Sequence, residues 1–111
     1  MNYITKIALI ASAGLFIALN GSTVAKDEDG AALYKSKTCN TCHGDDAKTP
    51  TMDTYPKLAG QSEKYLAQQL TDFKSGARSN AQAALMKAIL ASVTEDEIKL
   101  LAAYISSLPA K

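Results

Sequence analysis

Cys39-Asn40-Thr41-Cys42-His43-Gly44 contains both cysteines and the only histidine of a 111-residue chain. Three chemistries put two thiols and an imidazole this close together. A C-x-x-C-H run is the attachment signature of a c-type haem. Each thiol adds across one vinyl group, and the adjacent histidine places a ring nitrogen under the iron. A C-x-x-C pair also serves thiol–disulfide exchange, but on a strand-and-helix framework for which the flanking sequence offers no strand. Zinc is the third choice: Cys2His gives three ligands where a structural site takes four, and no second cluster follows. A structural disulfide closing over two residues would be poorer still. Haem gives all three side chains a role without calling for a second cluster, so Cys39 and Cys42 are expected to carry the macrocycle and His43 to ligate the iron.

Upstream, residues 1–25 read MNYITKIALIASAGLFIALNGSTVA. Lys6 precedes an uncharged, mostly apolar run from Ile7 to Leu19. Asn20, Gly21 and Ser22 then break it, and Thr23-Val24-Ala25 offers small residues for cleavage. This is the anatomy of a secretory signal peptide. The alternative, an uncleaved anchor, would need about 20 apolar residues to span a bilayer as a helix, more than this run supplies. No cysteine near its end could accept a lipid. The division expected is a signal peptide over 1–25 and one domain over 26–111, acting in the periplasm with no stable membrane insertion after cleavage. Export also favours haem, because an unattached C-x-x-C pair outside the cytoplasm tends to oxidise.

The remaining stretch makes one small domain, a size that buries little of its surface and usually needs added support. A covalently held macrocycle would supply an apolar centre to a chain that has no tryptophan. Composition is that of a folded protein, with 47% hydrophobic and 21% charged residues. All acidic residues lie after position 25 and Lys6 is the one basic residue before it, so the domain has no net formal charge. A basic nucleic-acid binder is excluded on that ground.

The pattern along this domain is helical throughout, giving an all-α fold. Asp27 to Gly30 lead into a short helix over Ala31–Lys37, and a loop with Pro50 and Pro56 runs from Asp45 to Gly60. Ser62 reads as the N-cap of a second helix whose Leu66, Leu70 and Phe73 share a face and which stops near Gly76. An alanine-rich third segment spans about 81–91. The last helix is best signalled: Thr94-Glu95-Asp96-Glu97 is a capping box, Ile98, Leu101, Ile105 and Leu108 form a stripe, and Pro109 follows.

The iron's second axial position separates an electron carrier from a site that binds small molecules. With no second histidine, the candidates are Met86, Met52, a lysine, or an open position. Met86, on the far side of the second helix from the motif, is preferred over a purely core role. Met52, nine residues after His43, is the lesser choice and could instead cover the haem edge. A His/Met pair raises the reduction potential and suits electron transfer.

With CNTCHG at 39–44, YPKLAGQ at 55–61, YLAQQLTDFKSGAR at 65–78, Met86 and TEDEIKLLAAYISSLP at 94–109, the domain resembles the single-domain class I cytochromes c. Among them it is close to the bacterial cytochrome c4/c5/c553 group. The resemblance implies the small cytochrome c fold, helices wrapped around one covalently attached haem c. It implies His43 and Met86 as axial ligands, Pro56 accepting the Nδ1–H of His43 through its carbonyl, and Arg78 as a contact for a haem propionate. It also brings Gly30 and Tyr34 against Tyr104, and Gln61 and Tyr65 to the haem or the second helix's start. The family often has a glycine where Ala47 stands, so a differently shaped turn is expected there. The Asp45-Asp46 pair reads as solvated loop.

The function implied is a mono-haem electron carrier without substrate chemistry of its own. Its donor would be a quinol-oxidising complex or a dehydrogenase, and its acceptor an oxidase or reductase. Lys35, Lys37, Lys57 and Lys87 are candidates to ring the exposed haem edge. The alternatives are a haem c subunit of a larger redox enzyme and a gas or redox sensor whose Met86 dissociates.

Overall fold

The computed structural model describes residues 22–111. Five helices follow one another: α1 Ser22–Ser36, α2 Cys39–His43, α3 Glu63–Ser75, α4 Ala83–Leu90 and α5 Glu95–Ser107, with no strand among the described residues. Most of the expected signal peptide, positions 1–21, lies outside the described residues. Positions 22–25 form the first turn of α1.

Local signals act where the sequence puts them. The Tyr65 N–H donates to Oγ of Ser62 at 3.2 Å, and α3 stops at Gly76 with φ 89°, whose N–H reaches the carbonyls of Asp72 and Phe73. At the start of α5 the capping box is reciprocal. Glu97 N–H donates to Thr94 Oγ1 at 3.1 Å, and Thr94 N–H donates to the Glu97 carboxylate at 2.9 Å. Glu95, Asp96 and Glu97 complement the positive end of the helix dipole.

Two elements depart from the sequence reading. The first helix does not begin after Gly30 but runs through it. Glycine there is a packing device and not a break: a Cβ at Gly30 would lie 2.5 Å from the Tyr104 Cβ and 2.8 Å from the Leu100 carbonyl of α5. The haem motif is itself a short helix, entered through Thr38 in the left-handed conformation at φ 64°.

α5 is the element on which the rest is assembled. α1 crosses one side of it, α3 packs on another, and α4 packs on α3. Ile98, Leu101, Ala102 and Ile105 are buried along its inner stripe, each leucine or isoleucine worth about 2 kcal/mol of transfer free energy. Tyr34 of α1 is buried with its ring 5.6 Å from that of Tyr104, tilted by 55°. Its hydroxyl donates to the Gly44 carbonyl at 2.7 Å, which carries the α1–α5 crossing directly to the end of α2.

Gly30→Ala should destabilise the fold by about 1–3 kcal/mol, because the added methyl meets backbone and Cβ atoms that cannot rotate away. Guanidinium unfolding of the two proteins measures the difference, and equal midpoints would show that the crossing has slack.

Candidate haem site

Leu66 of α3, Leu90 of α4, and Leu101 and Ile105 of α5 belong to the core and also form walls of one cavity of about 330 Å³. Protein interiors do not ordinarily leave gaps of that size. The cavity opens to solvent on one side, yet its inner walls are apolar core side chains that leave the space between them unfilled. The helices are therefore arranged around a bulky apolar guest. α2 contributes Cys39, Cys42 and His43 to the cavity wall, and α4 contributes Met86.

His43 is buried, and its Nδ1 lies 2.8 Å from the carbonyl oxygen of Pro56. A carbonyl can only accept, so Nδ1 carries the proton and Nε2 keeps the lone pair, on a ring that lines the cavity. Burial lowers the pKa of the ring below its ordinary value, partly offset by the bond to Pro56. A neutral imidazole oriented by its second nitrogen is the form that ligates a metal. The ring of Tyr55 lies 6.4 Å away.

Cys39 and Cys42 are both free and half-buried. Burial pushes the Cys39 thiol up to about 11, against the opposing effect of a backbone hydrogen bond. A redox-active C-x-x-C pair needs a lowered thiol pKa, so the local environment disfavours thiol–disulfide exchange. Among the described residues no group of three or more His, Cys, Asp or Glu side chains is placed to hold a metal.

The loop that carries Pro56 is fixed by contacts the sequence did not announce. Ala47 is fully buried and left-handed at φ 58°, the conformation glycine adopts freely, so alanine preserves here a turn suited to glycine. Its carbonyl accepts from Leu58 N–H at 2.7 Å and Ala59 N–H at 2.9 Å, which ties the chain just beyond Pro56 to the turn after His43. Gly44, at φ 89°, is needed for a second reason: a Cβ would collide with the Thr49 carbonyl. Asp46, expected to be a solvated loop residue, organises the turn. Its carboxylate accepts from the Lys48 and Thr49 N–H groups, each at 2.9 Å, and from the Thr49 hydroxyl at 2.8 Å. These bonds hold its pKa below the usual carboxylate value. Asp45 takes the Asn40 side-chain amide at 3.1 Å.

The other sequence candidates divide. Met86 lines the cavity, whereas Met52 does not and is 54% exposed. Arg78 reaches the cavity with its guanidinium already held, donating to Gln69 Oε1 at 2.7 Å and Asn80 Oδ1 at 3.3 Å and lying 4.4 Å over the Phe73 ring. Gln61 and Tyr65 line the cavity too. Lys35, Lys57 and Lys87 are exposed, but Lys37 turns to the Ser92 carbonyl at 3.1 Å and is not a free member of a lysine ring. Gln69 was missed by the sequence reading. Its position one turn before Phe73 on α3 was the available signal.

An all-helical shell with a C-x-x-C-H helix in the wall of an apolar cavity defines the class of small c-type haem proteins. The chain belongs to the cytochrome c family, whose sequence profile, described as Cytochrome c, matches residues 28–109. It is 34% identical over 99 residues to a cytochrome c4 of Pseudomonas aeruginosa, covering 89% of this chain and 47% of that protein. It is 37% identical over 100 residues to a protein of Stutzerimonas stutzeri named thiosulfate dehydrogenase electron acceptor, covering 84% of this chain and 45% of that one. The reduced cytochrome c4 structure from Pseudomonas stutzeri superposes with a TM-score of 0.67 at 29% identity, over 77% of this chain and 49% of that one. The chain spans about half the length of these relatives. The fold is the small cytochrome c fold, and the cofactor is one covalently bound haem c.

Asp46→Ala should lower the thermal midpoint at neutral pH by removing three hydrogen bonds from the loop. Asp46 has a depressed pKa when folded, so its contribution is present above the unfolded value of about 4 and is lost as pH falls through the folded value. The gap between wild type and variant should therefore close in acid. Melting curves across that range measure it, and a gap that does not depend on pH would mean the carboxylate is not the stabilising group.

Proposed function

We propose that the protein is a mono-haem electron carrier of the periplasm, exported by residues 1–25 and working as a domain over 26–111. The observation that supports this most is the shared cavity. Cys39 and Cys42, His43 with its tautomer set by Pro56, and Met86 from a different helix all line one apolar space.

In this reading Cys39 and Cys42 would hold the haem covalently, and His43, through Nε2, and Met86, through its thioether, would hold the iron. When bound, the haem supplies a one-electron iron couple. The protein's own residues set the conditions for it. The Pro56 carbonyl holds the imidazole in orientation and raises its basicity as a ligand. A thioether opposite the imidazole favours the reduced iron relative to two histidines. Leu66, Leu90, Leu101 and Ile105 keep water from the iron. Arg78, braced by Gln69, Asn80 and Phe73, is placed to offer its remaining N–H donors to a propionate.

With His43 and Met86 both holding the iron, the site would favour outer-sphere transfer over substrate chemistry. Tyr65 and Leu85, 49% and 45% exposed, line the cavity and offer apolar contact at its mouth, and exposed Lys57 lines it too. Such a surface suits a small, transient docking partner. The S. stutzeri relative is named as the electron acceptor of a dehydrogenase, which supports a dehydrogenase as donor here, with a quinol-oxidising complex as the alternative. An oxidase or reductase would then be the acceptor. No helix among the described residues is long and apolar enough to cross a membrane.

Visible spectra of the mature protein, made in a host that attaches haem c, test the reading. The reduced form should show the α-band of haem c, and the oxidised form a weak far-red band. That band should vanish in Met86→Ala and persist in Met52→Ala. A far-red band unaffected by Met86→Ala would remove Met86 as ligand, and a protein without covalent haem would overturn the whole assignment.

A further inference from the structure

Three consecutive backbone carbonyls after Met86 are each taken by a lysine. Lys74, in the last turn of α3, places Nζ 3.0 Å from the Leu90 carbonyl and 3.4 Å from that of Ala91. Lys37, two residues before Cys39, places Nζ 3.1 Å from the Ser92 carbonyl, with a Glu97 carboxylate oxygen 4.0 Å from the same nitrogen. The last carbonyls of a helix have no partner inside it and carry the negative end of its dipole. An ammonium there makes charge-assisted bonds, stronger than those between neutral groups.

α4 needs that support. It has eight residues, fewer than the roughly 12–15 at which an isolated helix becomes even marginal in water. Its N-cap, Gln82, makes no side-chain bond to it, and Ala81 before that is left-handed at φ 52°. Its buried residues are Ala83 near one end and Leu90 at the other, while Ala84, Leu85 and Ala88 are exposed. Met86 sits one turn before Leu90, so the placement of the Leu90 end governs the placement of its thioether. The lysines reach that end from two different directions: Lys74 from α3, and Lys37 from the turn into the haem motif.

We propose that Lys74, assisted by Lys37, is a positioning residue for Met86, clamping the end of α4 so that the thioether holds its place against competing ligands. The inference rests on the reading of Met86 as the distal ligand. Without the ammonium the Leu90 carbonyl keeps only the Val93 N–H at 3.0 Å and the Ala91 carbonyl loses its lysine, so the turn after α4 is no longer tied to α3 by a charged donor.

Imidazole titration of the ferric holoprotein, followed in the Soret band, tests the clamp. Lys74→Met keeps the aliphatic stem and removes the donor, and should raise imidazole affinity about tenfold, the equivalent of one charge-assisted bond. The far-red band should also disappear at a lower temperature than in wild type. Lys74→Arg retains a cationic donor and should stay within about twofold of wild type. Gly30→Ala, which weakens the fold away from the cavity, should leave imidazole affinity unchanged. Lys37→Met should give a smaller rise of about threefold, since it releases one carbonyl where Lys74 holds two.

If Met86→Ala binds imidazole much more tightly while Lys74→Met matches wild type, the clamp is wrong and the ligand assignment stands. If Met86→Ala leaves imidazole affinity unchanged, the ligand assignment fails and the clamp with it. A rise in Gly30→Ala equal to that in Lys74→Met would reduce the effect to general loosening and overturn the proposal. Should Lys74→Met not accumulate as holoprotein, a wild-type affinity in Lys37→Met overturns it equally.

Discussion

The apolar side chains of α3, α4 and α5 have to serve two surfaces at once. Leu66, Leu90, Leu101 and Ile105 are core residues, yet the same side chains wall the cavity. A domain this small has no second layer to supply what those residues withhold from one another. The interior is thus completed by the haem, and the helices must hold their places partly by other means. Everything else in the structure answers that constraint.

Those other means are polar, short in reach and concentrated around the cavity rim. Tyr34 binds the end of the haem motif, the Ala47 carbonyl holds Leu58 and Ala59, Asp46 gathers the turn between them, and two lysines take the carbonyls beyond α4. Each such bond contributes on the order of 1 kcal/mol, more where a charge is involved. Together they give the cavity-lining segments a definition that core packing cannot supply. Backbone strain gathers in the same zone: Thr38, Ala47 and Ala81 are the described non-glycine residues with positive φ, and they precede the haem motif, follow it and precede α4. Such conformations persist when the surroundings over-determine them, which is the usual condition of a functional site.

The hydrogen bond between His43 and Pro56 shows how this arrangement reaches the chemistry. A proline carbonyl has no donor of its own to confuse the pairing, so the imidazole proton is assigned to Nδ1 and the lone pair to Nε2. Pro56 can hold that oxygen in place because the chain after it is tied back to Ala47, and Ala47 is held three residues beyond Gly44, to which Tyr34 is bonded. From Tyr34 to the His43 ring runs a short series of named contacts.

Much of this was legible in the residues. The spacing of Cys39, Cys42 and His43, the Ser62 and Gly76 caps, the Thr94–Glu97 box and the stripe on the last helix are local patterns, in which each residue's partner lies within a few positions of it. Local chemistry is written into sequence order, so sequence order reports it. Gly30 was read from its local pattern as the edge of a helix, and only the family resemblance set it against Tyr104, its contact on α5. Asp46 was read as solvated and is the hub of a turn, and Lys37 was read as free surface charge and is bonded to Ser92. The sequence by itself determined the haem motif, the helical class and the methionines available to the iron. Only the tertiary structure decided that Met86 and not Met52 shares the cavity with His43, and what fastens the helix that carries it. Those partners lie many residues apart along the chain, and their meeting depends on how α3, α4 and α5 pack around a common space.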